Sequence, residues 1–119
     1  MSSIRTTSSF HNPKYSDCIE ACNHCAHSCE YCGTLCLRED NNKMLLECIE
    51  LCFYCADECR FASKHLSCDS KRVKEFCDYC AKVCEDCATE CEKHDMEHCE
   101  KCAQVCRECS KICREMTIE

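Results

Sequence analysis

The sequence predicts an all-α protein: an up-down-up-down antiparallel four-helix bundle with a Cys-lined core. Of 21 cysteines in 119 residues, all but Cys68 fall into four runs spaced alternately by three and four positions. That spacing puts every member of a run on one stripe of a helix, where Leu, Ile and Val ordinarily face a partner. Gly33 and Pro13 are the only Gly and Pro, which leaves little turn chemistry for a β fold. The polar stretches between the runs are short, so neighbouring helices run antiparallel.

Residues 1–12 are polar and rich in Ser and Thr, and are expected to form a flexible N-terminal segment ahead of one helical domain over 13–119. Asn12-Pro13 offers a helix start with Pro at the first helical position; Asp17 with Glu20 offers another, of capping-box type. The first helix then runs to about Arg38. Asp40-Asn41-Asn42 predicts a turn and N-cap for the second helix, which continues to about Lys64. Asp69 or Ser70 caps the third, ending near Lys93, and Asp95 caps the fourth, ending near Met116. Each spans roughly 30 Å at about 1.5 Å per residue.

A C-x-x-C-A or C-A-x-x-C phrase recurs in each segment, so stacked repeats are an alternative. Single narrow seams that close on one another favour the bundle. With Cys at heptad positions a and d, small or apolar residues such as Ile19, Ala26, Ala56, Ala81, Val83 and Ala88 flank the seam. They would seal it from water and supply ordinary hydrophobic stabilisation. Gly33 costs its helix about 1 kcal/mol relative to Ala, and would let another helix approach closely. Leu46, Phe53, Tyr54 and Phe61 make an off-seam stripe on the second helix, the pattern of a homo-oligomer interface.

A net charge of −7 argues against nucleic acid, whose phosphates need a basic surface. The charges are spread along all four segments and read as a solvated face. No stretch is apolar and long enough to span a bilayer. Residues 1–17 contain neither an apolar signal core nor a twin-Arg pair, so the expected location is cytoplasmic. The same expectation, the odd cysteine count and the helical spacing argue against a secreted disulfide scaffold.

The candidate metal ligands are Cys18, Cys22, Cys25, Cys29, Cys32 and Cys36 on the first helix and Cys48, Cys52, Cys55 and Cys59 on the second. Cys77, Cys80, Cys84, Cys87 and Cys91 follow on the third, and Cys99, Cys102, Cys106, Cys109 and Cys113 on the fourth. Inert thiol packing explains two or three buried Cys but not this register. Thiolates select Cu(I), Zn(II) or iron–sulfur clusters. Residues four apart on a helix hold their Cβ atoms about 5–6 Å apart, so two sulfurs on one face can clasp a two-coordinate ion, which Cu(I) accepts and structural zinc does not. Bridging Cu(I) thiolates also leave the core neutral, whereas four thiolates on Zn(II) bury a net charge. Compact clusters need loop ligands of the C-x2-C-x2-C kind, and none occurs.

With these C-x-x-x-C-x-x-C phrases on four helices, the chain resembles the bacterial copper storage proteins, over essentially residues 13–116. Without an export signal it is most similar to their cytosolic branch. The resemblance implies a tetramer of bundles, each storing many Cu(I) ions on the Cys side chains, and metal admission at one end through His or Met. The turns between helices one and two and between three and four share an end, where the seam continues into His94, with His98, Met44 and Met96 nearby. His94 and His98 are therefore candidate ligands at that mouth. Ala62, Leu66, Val73 and Met116 would plug the opposite end. His24, His27 and His65 fall off the seam and are expected in solvent. Cys68 is off the seam in a connection, and Leu45 makes the mouth end of the second helix partly apolar. The reading is a non-catalytic Cu(I) store. Its rivals are a metallothionein-like zinc or general thiolate sink, and a thiol redox or electron-transfer protein, which would need one accessible low-pKa thiol.

Overall fold

The computed structural model describes residues 10–118; residues 1–9 of the segment expected to be flexible lie outside them. Four helices follow one another: α1 (Ser16–Leu37), α2 (Leu46–Cys68), α3 (Val73–Cys91) and α4 (Glu97–Ile118). Among the described residues there is no strand. α1 packs on α2 and α4, and α3 packs on α2 and α4, which closes the antiparallel ring around one core.

The helix starts depart from the expected caps. Asn12 does open the chain's helical path: its side chain accepts from the Lys14 N–H and Pro13 begins a 3-10 turn, Pro13–Tyr15. The expected Asp17/Glu20 box does not form. Glu20 lies 3.5 Å from His11 instead, whose Nε2 also meets Ser16 Oγ at 2.9 Å. A second 3-10 turn, Asn42–Leu45, precedes α2, and Asn42 Nδ2 donates to the Leu37 carbonyl at 2.9 Å. That bond satisfies one of the carbonyls left without a partner at the end of α1.

α2 continues one turn past Lys64. Asp69, expected as a cap for α3, terminates α2 instead, in the left-handed conformation at φ 48° and ψ 52°. The Ser70 N–H donates to the His65 carbonyl at 3.0 Å, the arrangement that closes helices when a residue turns left-handed. Asp is one of the few side chains that tolerates this backbone. Ser70 keeps a lesser role at the start of α3, its hydroxyl accepting from the Arg72 N–H at 3.3 Å. α4 begins two residues beyond Asp95, at Glu97, with the Met96 carbonyl accepting from the Cys99 and Glu100 N–H groups.

The core is thiol inside and aliphatic at its edges. Ile19, Ala26, Ala56, Ala81, Val83 and Ala88 are buried beside the cysteines, as the heptad assignment requires. Outside, guanidinium–carboxylate pairs clasp neighbouring helices: Arg60 to Glu30 across α1 and α2, Arg114 to Glu85 and Asp78 across α3 and α4. The acidic partner Glu85 has its pKa lowered by Arg114 and Ser110. These pairs are exposed and contribute about 0–1 kcal/mol each; burial inside does most of the holding.

At the far end from the α1–α2 turn, Ala62, Leu66 and Val73 are buried and Met116 packs half-buried against the core. The 3-10 turn before α1 laces over this plug. Asn12 Nδ2 donates to the Leu66 carbonyl at 3.2 Å, and the Tyr15 hydroxyl donates to Asp69 Oδ1 at 2.8 Å.

At Gly33 the Phe53 ring of α2 lies directly against α1. A Cβ there would lie 2.9 Å from Cε2 of Phe53. Phe53 thus leaves the exposed stripe and packs half-buried against the core, while Leu46, Tyr54 and Phe61 remain exposed. Gly33→Ala gains about 1 kcal/mol of helix propensity but meets an overpacking penalty of about 1–3 kcal/mol. We expect it to lower the thermal midpoint of the apo protein, and the same change in a Phe53→Leu background to raise it. Equal effects in both backgrounds would remove Phe53 as the cause.

Candidate metal centre

Twenty thiols line the bundle axis, each 0 or 1 % exposed. The seam spacing of three and four residues keeps each run on its helix's inner face, so sulfurs from facing helices meet in layers. Nearest the α1–α2 and α3–α4 turns, Cys36 Sγ is 3.7 Å from Cys99 and Cys48 is 3.8 Å from Cys91. Cys32 approaches Cys99 at 4.0 Å, and Cys52 approaches Cys87 and Cys91. Midway, Cys29 lies 3.6 Å from Cys106 and 3.8 Å from Cys102. Cys25, Cys55, Cys59 and Cys84 converge beside them. Toward the plug, Cys22 is 3.7 Å from Cys113, Cys18 is 3.9 Å from it, and Cys80, Cys109 and Cys77 complete the layer.

Seam sulfurs therefore gather across helices as much as along them. Cys22, Cys80, Cys109 and Cys113 form one group whose sulfurs lie within 4.8 Å of one another, and Cys29, Cys87, Cys102 and Cys106 form another. The i, i+4 pairs expected to act alone are embedded in such groups, as Cys25 and Cys29 are, at 3.9 Å. At about 2.3 Å per metal–sulfur bond, sulfurs this close suit an ion shared by two, three or four thiolates, and each sulfur has neighbours enough to bridge. Burial is the first cause that pushes the Cys36 and Cys99 thiols above their ordinary range. Burial thus favours the neutral thiol at these two positions, and a cation that binds them must displace protons.

The two candidate histidines have different surroundings. His98 is half-buried, with Nε2 3.4 Å from Cys36 Sγ, and joins Cys32, Cys36 and Cys99 in one four-atom group. His94 turns to its own helix, Nε2 meeting Glu90 Oε2 at 3.1 Å. Glu90 escaped the sequence reading, although its i, i+4 spacing to His94 was visible. Met96 packs half-buried against the core, whereas Met44 is 78 % exposed. Both line, with His94, a crevice of about 450 Å³ between the two turns. Leu45 is buried there as expected. His24 and His27 are exposed. His65 is not simply solvated: its ring stacks on Phe76, centroids 4.0 Å apart, and Nδ1 meets Ser70 Oγ at 2.6 Å. Cys68 is exposed, outside the core.

The family model described as "Copper storage protein" matches residues 11–118. The chain belongs to the copper storage protein family. An uncharacterized cysteine-rich protein of Bacillus subtilis, YhjQ, is 47% identical over 83 residues, spanning 69% of this chain and 77% of its own. The Cu(I)-bound copper storage protein BsCsp3 superposes with a TM-score of 0.84 at 46% identity, covering 87% of this chain and 97% of that one. Ccsp of Streptomyces lividans, loaded with 10 copper equivalents, gives a TM-score of 0.84 at 35% identity over 87% of this chain and 83% of its own. The family thus carries the same four-helix architecture expected from the cysteine spacing.

The burial pattern has a direct chemical readout. In reduced, metal-free protein, Cys68 should react at once with a thiol-specific chromogenic disulfide. The other twenty thiols, at 0–1 % exposure, should follow only as the bundle opens under denaturant. Several fast thiols in the native protein would contradict the closed core.

Proposed function

We propose that this protein is a non-catalytic, cytoplasmic store for Cu(I), holding many ions per chain on the thiolates of the bundle axis. The observation that carries it is the convergence of twenty buried thiols into interlocking groups, in a chain of the copper storage family. Thiolates are the ligands that select Cu(I). Each ion exchanges for a thiol proton, a thiol and Cu(I) giving a copper thiolate and H⁺, so the water-excluded interior remains close to neutral as it fills. The twenty seam cysteines are the proposed ligands, with His98 completing the group at the mouth and His94 beside it. The core has no exposed, isolated thiol of the kind redox catalysis uses.

The proposed assembly is a homo-tetramer. The exposed apolar side chains of Leu46, Tyr54 and Phe61 on α2 and Tyr79 on α3 support an interface on that face, where the Tyr54 and Tyr79 hydroxyls also meet. Among the described residues no helix is long and apolar enough to cross a membrane. The four-thiol groups favour one second reading, a zinc store, since four sulfurs within 4.8 Å also suit a tetrahedron of bonds about 2.3 Å long.

Anaerobic titration of reduced apo protein with Cu(I) against a chromogenic chelator separates the two. We expect about one Cu(I) per seam thiol before the chelator colours, about one proton released per ion, helicity unchanged, and weaker retention at lower pH. Zinc that resists displacement by Cu(I), or saturation after a few ions, would sink the storage reading.

A further inference from the structure

We infer that Glu90 is a positioning residue that fixes the His94 ring at the mouth and leaves Nδ1 as its free donor atom; the inference rests on the Cu(I)-storage reading above. Glu90 is 7 % exposed, and beside it among the described residues the buried polar side chains are only Ser63 and Ser110. It sits on the last turn of α3, next to Cys91, whose sulfur lies 3.8 Å from Cys48. Both carboxylate oxygens are engaged: Oε1 with Lys93 Nζ at 3.1 Å, Oε2 with His94 Nε2 at 3.1 Å.

An ionised carboxylate only accepts hydrogen bonds. The His94 proton must therefore reside on Nε2, and in the neutral ring the lone pair is on Nδ1. His98 does the opposite, presenting Nε2 to Cys36 at 3.4 Å. The two mouth histidines thus offer different ring nitrogens, and a carboxylate behind one of them sets its tautomer, as carboxylates do behind metal-bound histidines. His94 also lines the crevice of about 450 Å³ that carries Met44 and Met96, so the fixed ring borders the space between solvent and the first thiols. Stability alone does not explain the arrangement: Lys93 is exposed, and an ion pair with an exposed partner is a weak stabiliser.

The test reads the ring and the uptake separately. In reduced apo protein, ¹⁵N NMR of the His94 ring should show the Nε2–H tautomer, and Glu90→Ala should convert it to a mixture. Uptake from a Cu(I)–chelator complex should slow about 10-fold in Glu90→Ala. Glu90→Gln, whose side-chain carbonyl still accepts from Nε2–H, should recover most of that rate. In a His94→Ala background, Glu90→Ala should add nothing. An Nδ1–H tautomer in the unsubstituted protein overturns the inference, as does equal slowing in the His94→Ala background, which would make Glu90 a mere fastening of the α3 end. If Glu90→Ala fails to fold, the unsubstituted protein and Glu90→Gln still decide. Failure of the storage reading shows elsewhere, as low Cu(I) capacity in the unsubstituted chain.

Discussion

The governing constraint is that sulfur must be crowded without being allowed to bond to itself. Twenty thiols lie within reach of one another, at separations such as 3.6 Å for Cys29 and Cys106, far longer than the roughly 2.05 Å of a disulfide. All of them are free thiols. Each Cys is tethered to a hydrogen-bonded turn, and the sealing row of Ile, Val and Ala keeps oxidant-bearing water out. The fold thus needs long helices more than it needs a strong core, and the near absence of Gly and Pro follows from that need.

The apolar packing is correspondingly displaced from the axis to the seams between helices. A small hydrophobe such as Cys contributes packing, but less than the Leu or Ile it replaces. The compensation comes from contacts like Phe53 seated on Gly33 and Ile19 buried at the edge. Gly33 gives up about 1 kcal/mol of propensity because a larger side chain would push α1 and α2 apart at a layer where their sulfurs must meet. The cost of one glycine is local; a wider gap would be felt by every thiol group above and below it.

The heptad register made the bundle and all twenty axial thiols legible, since a period of 3.5 needs no tertiary information. The errors have a common physical origin. Caps depend on backbone conformations that compete at each junction, and Asp69 was claimed by the end of α2, not the start of α3. Phe53 and His65 were misplaced because an off-seam position is exposed only if nothing reaches over it; α1 reaches Phe53 through Gly33, and Phe76 reaches His65. Spacing along one helix likewise showed the i, i+4 thiol pairs but not which facing sulfurs join them. The N-terminal turn over the plug was invisible for the same reason, its partners Leu66 and Asp69 lying 54 positions away.

The two ends of the bundle consequently differ in chemistry. At the plug, Ala62, Leu66 and Val73 and the Asn12–Leu66 and Tyr15–Asp69 bonds close the axis, with the half-buried Met116 thioether as the soft donor there. At the mouth, an imidazole, a half-buried thioether and a buried carboxylate surround the first thiols. On the proposed reading, a Cu(I) ion arriving there would meet imidazole and thioether before it met thiolate. Beyond that layer each step would be an exchange between sulfurs about 4 Å apart, a separation at which an ion could hold a new thiolate before releasing the old one. The close spacing of free thiols would thus offer an ion its next ligand at every layer.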